Sequence, residues 1–165
     1  MQRFHDHKPR LSAEPGVEAT LRPAVDGDVG GLRALAESAY AVYVPRIGLR
    51  PAPMDADYGE LVERGQVTVA EVDGAMAGAL VLVPAADHLL IENVAVAPEH
   101  QGEGIGGLLM RLAEERARAS GIGELRLYTH RLMTENRDWY ARLGYEETGR
   151  EEQDGFDRVF FRKRL

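Results

Sequence analysis

The chain has 165 residues, of which 44% are hydrophobic and 28% are charged, and its formal net charge at pH 7 is −7. This length and composition are typical of one soluble globular domain, and no apolar run approaches the ~20 residues of a membrane span. The negative charge argues against general nucleic-acid binding, which depends on Lys and Arg neutralising phosphates. We therefore expect neither nucleic acid nor a membrane as a partner.

The polar N-terminal segment, residues 1–15, lacks the apolar core of a signal peptide. It predicts a flexible leader in front of a single domain over residues 16–165, and it favours a cytoplasmic location.

Hydrophobic periodicity, capping residues and turn signals predict the elements of the first half of the chain. They are a strand over 17–21, a helix from Asp26 or Asp28 to about Tyr40, an ordered loop stiffened by prolines at 45, 51 and 53, a helix from its cap Asp55 to about Arg64, and a hairpin of strands 66–72 and 75–83 around Asp73-Gly74.

The second half begins with a nearly continuous apolar run, which predicts a central strand. The predicted elements are this strand over 89–97, an amphipathic helix over 104–120, a strand over 124–130, a short helix from Thr134 to Gly144, and a hairpin of strands 145–151 and 156–163 around Asp154-Gly155. The strand, helix and strand in the middle predict a right-handed parallel crossover. Together these elements predict an α/β domain with a mixed sheet.

The chain contains no cysteine, so disulfides, thiolate metal sites and a cysteine nucleophile are excluded. The five histidines, His5, His7, His88, His100 and His130, show no metal-ligand spacing. We therefore expect no metal centre.

Four glycines occur in six residues at the start of the helix over 104–120, in the stretch Gly102-Glu103-Gly104-Ile105-Gly106-Gly107. The spelling matches a dinucleotide-binding loop, but four residues separate it from the preceding strand, and Glu124 opens the next strand instead of ending it. A Walker loop is excluded because leucines stand at 108 and 109 in place of Lys and Ser or Thr. The free amides at this helix start favour an anion, whereas the alternative is a tight turn without a ligand.

The stretch Gln101-Gly102-Glu103-Gly104-Ile105-Gly106, preceded by Val-Ala-Val-x-Pro, resembles the Gln/Arg-x-x-Gly-x-Gly/Ala acetyl-CoA loop of the GNAT N-acetyltransferase superfamily. Residues 134–145, with Asn136, Tyr140 and Gly144-Tyr145, resemble a later segment of that superfamily. The resemblance implies a single-domain α/β fold with a mixed, splayed β-sheet flanked by helices, and acetyl-CoA as co-substrate.

The resemblance also implies which residues contact the cofactor. Backbone groups of Val94, Ala95 and Val96 would pair with pantetheine, the amides of Gln101, Gly102, Glu103, Gly104, Ile105, Gly106 and Gly107 would hold the pyrophosphate, and Asn136 would contact the cofactor arm. Glu103 departs from the family pattern, and its side chain is expected to point to solvent while its amide points inward.

Without a thiol nucleophile, the simplest chemistry is direct attack of an amine on the thioester in a ternary complex. Glu92 interrupts an apolar run and is the candidate base, the alternative being a strand carboxylate held in a hydrogen bond. Tyr140 is the candidate general acid for the leaving thiolate, because a phenol pKa near 10 lies close to that of a thiol. His130 is a weaker alternative base.

The proline-stiffened segment borders the amine acceptor in the superfamily, and it contains Tyr40, Tyr43, Arg46 and Arg50. The arginines are candidates for a carboxylate or phosphate on the acceptor, or they are solvated loop charges. We predict an N-acetyltransferase that acts on a primary amine. The alternatives are a non-catalytic acyl-CoA-binding regulatory module and a nucleotide-dependent oxidoreductase, and pairing into a homodimer is left open.

Overall fold

The computed structural model describes residues 10–14 and 17–165, and this part of the chain contains eight strands and five α-helices. The strands are β1 (Arg10–Glu14), β2 (Val17–Pro23), β3 (Val67–Val72), β4 (Ala75–Pro84), β5 (Leu89–Val96), β6 (Glu124–His130), β7 (Glu146–Gln153) and β8 (Phe156–Arg164). The helices are α1 (Val29–Tyr40), α2 (Tyr43–Ile47), α3 (Tyr58–Glu63), α4 (Ile105–Ala119) and α5 (Thr134–Arg142). None of the helices in this part of the chain is both long and apolar enough to cross a membrane.

The strands form one mixed sheet in the order β1-β2-β3-β4-β5-β6-β8-β7. Only β5 and β6 run parallel, and α4 makes the crossover between them. The remaining neighbours pair antiparallel, including the hairpins β3-β4 and β7-β8. The predicted fold class, a mixed sheet flanked by helices, is therefore confirmed.

The sheet splays apart in its middle, as the resemblance implied. β5 pairs with β6 only from Leu89↔Leu125 to Ile91↔Leu127, although both strands continue further. The far halves of the two strands therefore leave a gap in the sheet.

A β-bulge lies at the point where the two strands separate. Val81 of β4 pairs with Asn93 and Leu82 pairs with Ile91, so Glu92 is the extra residue of β5. A bulge breaks the alternation of side chains along a strand. Ile91 and Val94 accordingly both pack in the core on the α4 side of the sheet.

Two hydrophobic cores cover the two faces of the sheet. The core on the α4 side joins β-strand residues to α4, and its fully buried members include Leu80, Leu108, Leu109 and Leu125. The second core joins Val69, Val81 and Ala95 to α1 and α3 through Leu32 and Tyr58. The helices thus hold β5 from both sides and fix the gap beside it.

Three local predictions are corrected. Residues 10–14, inside the segment expected to be a flexible leader, form β1 and pair with β2, whereas 1–9, 15 and 16 lie outside the described residues. The proline-rich stretch contains α2 and a 3-10 turn over Ala52–Asp55 in addition to loop. The cap of α3 is Asp57, which accepts from Glu60 N–H (3.1 Å), because the Asp55 carboxylate is occupied by Arg50 Nε (3.2 Å).

Candidate active site

Two cavities meet at the gap between β5 and β6. One, called here the cofactor groove, is lined by the glycine loop, the end of β5, the α1–α2 segment and α5. The other, called the acceptor cavity, lies on the opposite side of the gap. The two share Tyr40, Val94 and Asn136, so they adjoin at the splayed part of the sheet.

The acceptor cavity is mainly apolar and aromatic, with a few polar groups among its walls. Its side chains come from α1, α2, the 3-10 turn, α3, β5, β6, α5 and β8. The apolar and aromatic residues include Ile47, Pro51, Leu61, Ile91, Tyr128, Met133, Tyr140 and Phe156, and the charged or titratable ones are Glu92, His130 and Arg158.

The glycine loop presents a row of free amides to the cofactor groove. Gly102 and Gly104 have φ of 80° and 81°, a left-handed conformation that residues with a Cβ rarely adopt. The first α-helical hydrogen bond runs from Leu108 N–H to the Gly104 carbonyl (3.1 Å), so the amides of residues 105–107 have no acceptor within the helix. Oriented amides at the positive end of a helix dipole suit a phosphate oxygen.

Close packing leaves no room for a side chain at Gly106. A Cβ there would lie 3.1 Å from two ring carbons of Trp139 and 3.6 Å from Val96 Cγ2. Beside it, a Cβ at Gly107 would lie 3.5 Å from Arg111 Nη1. The exposed Arg111 thus brings a positive charge to the loop, which the sequence analysis did not identify.

The Glu103 side chain turns away from the cofactor groove. Its Oε2 lies 2.8 Å from His100 Nδ1, and Glu103 is absent from the lining of the groove, whereas His100 belongs to it. The carboxylate is therefore directed away from the position where a phosphate would sit, as the fit to an anion requires.

The β5 backbone offers alternate residues to the gap. Ala97 N–H donates to β4 (2.8 Å), so the alternation of the ladder directs the backbone of Ala95 toward β4 and those of Val94 and Val96 into the gap. Ala95 lines the groove without offering it a backbone group. Gln101 Nε2 donates to the gap-facing carbonyl of Val96 (3.4 Å), whereas Tyr40 Oη lies 3.2 Å from that of Val94 and donates its single proton to the nearer Asn93 Oδ1 (2.5 Å).

Asn136 lies where the two cavities meet, on the first turns of α5. It is half-buried, and its Nδ2 contacts Met133 Sδ at 3.7 Å, which is a weak interaction for an amide. Its position leaves the side-chain amide available to a ligand that passes through the gap.

Glu92 projects from the bulge into the acceptor cavity. Its Oε1 accepts a hydrogen bond from Tyr128 Oη (3.0 Å). Burial, together with the nearby Glu92 charge, raises the pKa of Tyr128 to about 12, so that hydroxyl stays protonated and keeps donating. The Glu92 carboxylate thus accepts a hydrogen bond, which the non-catalytic alternative predicted. It also faces a cavity, as a catalytic base must.

Tyr140 is a buried residue of α5 that also lines the acceptor cavity. Its ring packs against Trp139, Tyr145 and Phe161 with centroids 5.3, 6.1 and 5.8 Å away. Burial raises the pKa of Tyr140 above the ordinary value of 10, so its proton is retained at any physiological pH. The ring is therefore fixed and the hydroxyl is held in its acid form.

Tyr40 belongs to a buried polar network that the sequence analysis missed. Its hydroxyl lies 2.5 Å from Asn93 Oδ1, Asn93 Nδ2 lies 3.4 Å from Tyr58 Oη, and Tyr58 Oη donates to the Pro53 carbonyl (2.6 Å). Asn93 is one of the few buried polar residues. In the sequence, the polar amide of Asn93 within the apolar run 89–97 is the feature that could have predicted this network. The network ties α1 and the 3-10 turn to β5, so Tyr40 supports the wall between the two cavities.

The predicted acceptor arginines both pair with carboxylates. Arg46 lines the cofactor groove, where its Nη1 donates to both carboxylate oxygens of Glu135 (2.7 and 3.0 Å) and its Cζ lies 5.1 Å from the Tyr43 ring centroid. Tyr43 lines only the groove as well. Arg50 pairs with Glu37 and Asp55. Arg46 and Tyr43 thus line the cofactor groove near α5, and their contact with the acceptor stays a prediction.

His130 is poorly arranged as a base. Leu132 N–H donates to its Nδ1 (3.0 Å), and Asp157 N–H lies 3.4 Å from its Nε2. A neutral imidazole has one lone pair, which the shorter contact occupies. Burial lowers the pKa of His130, so the ring has lost basicity too.

No group of three or more His, Asp or Glu side chains within the described part of the chain could hold a metal ion. The polar groups that line the two cavities are amides, hydroxyls, the carboxylates of Glu92 and Glu135, the imidazoles of His100 and His130, and guanidinium groups. Such a set binds an anionic ligand and moves protons.

The comparisons with known proteins agree with this geometry. A family model described as "Acetyltransferase (GNAT) domain" matches residues 63–147. Streptothricin acetyltransferase of Streptomyces lavendulae is 34% identical over 97 residues, which are 58% of this chain and 51% of the relative. N-acetyltransferase family 8 member 3 of Rattus norvegicus is 33% identical over 87 residues, 49% of this chain and 38% of the relative. The match thus spans about half or less of these curated relatives.

Solved structures give the same fold. The PaiA N-acetyltransferase of Thermoplasma acidophilum, solved in complex with coenzyme A, has a TM-score of 0.76 at 22% identity and covers 89% of this chain and 99% of its own. Nourseothricin acetyltransferase has a TM-score of 0.56 at 31% identity, covering 59% of this chain and 64% of its own. The first likeness concerns the fold, and the second adds sequence similarity.

Proposed function

Because the chain belongs to the GNAT acetyltransferase family, we propose that it is an N-acetyltransferase that moves the acetyl group of acetyl-CoA to a primary amine. The observation that carries the proposal is the junction of the cofactor groove with the acceptor cavity at Tyr40, Val94 and Asn136. A thioester held in the groove and an amine held in the cavity can meet there. The residues that face this junction supply both a carboxylate and a phenol.

The groove residues suit the parts of acetyl-CoA, which supplies a reactive acetyl thioester. The amides of residues 102–107 and the nearby Arg111 would hold the pyrophosphate. The gap-facing backbone groups of Val94 and Val96 would hydrogen-bond the pantetheine arm, and Asn136 would contact it from the other side of the gap.

The transfer is direct, since the chain has no cysteine to carry the acetyl group. The amine nitrogen attacks the acetyl carbonyl carbon, a C–N bond forms, and the C–S bond breaks. One proton leaves the nitrogen and one is needed by the departing sulfur. The protein therefore needs one proton acceptor and one proton donor at the junction.

Glu92 is the proposed proton acceptor, acting directly or through a water molecule. An alkyl amine with a pKa of ~10.4 is neutral only about once in two thousand molecules at pH 7, which costs roughly 4 to 5 kcal/mol. The carboxylate at the bulge is already oriented by Tyr128 Oη, so it faces the cavity in a defined position. An acceptor of lower pKa would depend on Glu92 less.

Tyr140 is the proposed proton donor. Its buried ring is held among three aromatic neighbours, and its hydroxyl stays protonated. The same burial that raises the pKa of a phenol also raises that of a thiol, so the proton affinities of Tyr140 and the departing sulfur rise together. At the ordinary pKa values of ~10 for a phenol and ~8.5 for a thiol, transfer of the proton from Tyr140 Oη to the sulfur costs about 2 kcal/mol, a cost that general acid catalysis tolerates.

The test is thiol release from acetyl-CoA with a panel of amino acids, polyamines, aminoglycosides, peptides and streptothricin, the last chosen from the name of one relative. Transfer is expected with at least one class of amine. A cofactor-dependent rise in melting temperature without any turnover would instead identify a non-catalytic acyl-CoA-binding module. Stabilisation by NAD or FAD and not by acetyl-CoA would favour the oxidoreductase alternative. Cytoplasmic location and a homodimer stay predictions, and gel filtration tests the second.

A further inference from the structure

We infer that the amine acceptor also carries a carboxylate, which Arg158 binds, so that the substrate is a small aminocarboxylic acid with an apolar or aromatic side chain. This inference rests on the proposed function and names the substrate class of the same site. It depends on three features of the acceptor cavity: a cation without a counterion, a nearby carboxylate, and the apolar walls around them.

Arg158 is a half-buried residue of β8 whose guanidinium lies in the acceptor cavity. The guanidinium carbon is 4.5 Å from the Tyr128 ring centroid and 5.6 Å from that of Phe156. Nη1 donates to Gln153 Oε1 (2.8 Å), which is a neutral acceptor. Two aromatic rings and one amide therefore hold the guanidinium in place.

No described carboxylate forms an ion pair with Arg158. Its neighbour Asp157 pairs with Arg131 (2.6 Å). Arg46 and Arg50, the arginines first expected at the acceptor, are both paired with carboxylates. Arg158 is thus the cavity cation whose charge is left for a ligand.

Tyr128 places this cation close to Glu92. The Tyr128 hydroxyl donates to Glu92, while its ring lies under Arg158, so one tyrosine side chain spans the two charges. A molecule whose amine faces Glu92 and whose carboxylate faces Arg158 would match this pair at short separation. A phosphate fits less well, because its larger negative charge would lie near the Glu92 carboxylate with a single guanidinium to balance it.

The walls indicate the rest of the acceptor. Ile47, Leu61, Met133 and Phe156 line the cavity and offer no charge to a polar side chain. A planar guanidinium binds a carboxylate through two parallel hydrogen bonds, which fixes its orientation as well as its position. The cavity therefore favours an amino acid with an apolar or aromatic side chain over a polyamine or a sugar.

The experiment compares acceptors that share a side chain and differ in the carboxylate: phenylalanine, phenylalaninamide and phenethylamine, and likewise leucine, leucinamide and isoamylamine. Loss of the carboxylate also changes the pKa of the amine, so kcat/KM is expressed per neutral amine. Thiol release is measured for the wild type, Arg158→Gln and the control Arg162→Gln. Arg162 is on the same strand, has the same side-chain parity, is also half-buried and lies outside the acceptor cavity. Thermal melting of each variant checks that it folds.

In the wild type, the carboxylate acceptors are expected to have the highest kcat/KM. Arg158→Gln should lower kcat/KM for them by about 10- to 100-fold, mainly through KM, and change it less than about twofold for the amides and amines. Arg162→Gln should leave all six values unchanged. This inference is wrong, while the proposed function stands, if the amines are acetylated but Arg158→Gln lowers kcat/KM equally for all acceptors. The same holds if the wild type has equal kcat/KM for acceptors with and without the carboxylate. If none of these or the wider panel of amines is acetylated, the proposed function fails first.

Discussion

Replacement of Tyr140 by phenylalanine removes one hydroxyl from the lining of the acceptor cavity and leaves the aromatic packing of the ring in place. Among the described residues the Tyr140 hydroxyl has no hydrogen-bond partner, although its ring contacts three aromatic neighbours. The variant should therefore fold with nearly unchanged stability. If the hydroxyl is the general acid, kcat should fall by about 10²- to 10⁴-fold, which corresponds to about 2.7 to 5.5 kcal/mol of transition-state stabilisation.

Tyr145 provides a matched control for this substitution. Its ring lies 6.1 Å from that of Tyr140, its hydroxyl is likewise buried and without a partner, and it lines neither cavity. Tyr145→Phe removes the same atom from an unsatisfied position, so it should keep full kcat and stabilise the protein by about 1 kcal/mol. For a chain of this size that raises Tm by about 2–4 °C.

The assay is initial-rate thiol release at saturating acetyl-CoA across pH 6 to 10, with melting curves of each variant. Because burial raises the pKa of Tyr140, the wild-type rate should show no loss of the acid form below its ordinary pKa of 10. A Tyr140→Phe enzyme with wild-type turnover and acetyl-CoA affinity would refute the assignment. An equal loss in Tyr145→Phe would show that the effect comes from packing and not from proton donation.

Three further predictions concern the base, the loop and acid stability. Glu92→Gln should lower kcat for alkyl amines by about 10²-fold or more, and unchanged rates across the pH range would exclude Glu92 from the mechanism. Gly104→Ala places a Cβ on a residue with φ 81°, which should lower the free energy of unfolding by roughly 1–2 kcal/mol and raise KM for acetyl-CoA. The control is Gly121→Ala, at φ 72° and away from both cavities, which should destabilise the protein without changing KM. Arg22 lowers the pKa of Asp28 to about 2 from 3.8, mainly through their hydrogen bonds. That stabilisation, about 2 kcal/mol, is present above pH 3.8 and is lost as pH falls toward 2. Urea midpoints should therefore fall more over this range in the wild type than in Asp28→Asn, since carboxyls such as those of Glu135 and Glu146 titrate in both.

Local patterns in the sequence predicted the features that backbone geometry encodes. Gly102 and Gly104 favour a tight loop with free amides before α4, because both have a positive φ that glycine adopts readily. The alternating and helical periodicities predicted the order of the other strands and helices but missed β1 and α2. Tyr140 was identified through the resemblance of residues 134–145 to the GNAT superfamily, and in the structure it is a buried phenol that lines the acceptor cavity.

The chain by itself therefore determined the fold class and the cradle for an anion, since both follow from neighbouring residues. The acceptor side was decided only by tertiary structure. The bulge at Glu92 interrupts the alternation of side chains between the two faces of β5, and it depends on the register between β4 and β5. The partners of Arg46 and Arg158 depend on where α5, β6 and β8 bring distant side chains, which no spacing along the chain encodes. The ion pairs of long flexible side chains depend on which carboxylates the folded backbone brings near them. The cation without an ion pair in the acceptor cavity is therefore Arg158, whereas the sequence had indicated Arg46 and Arg50.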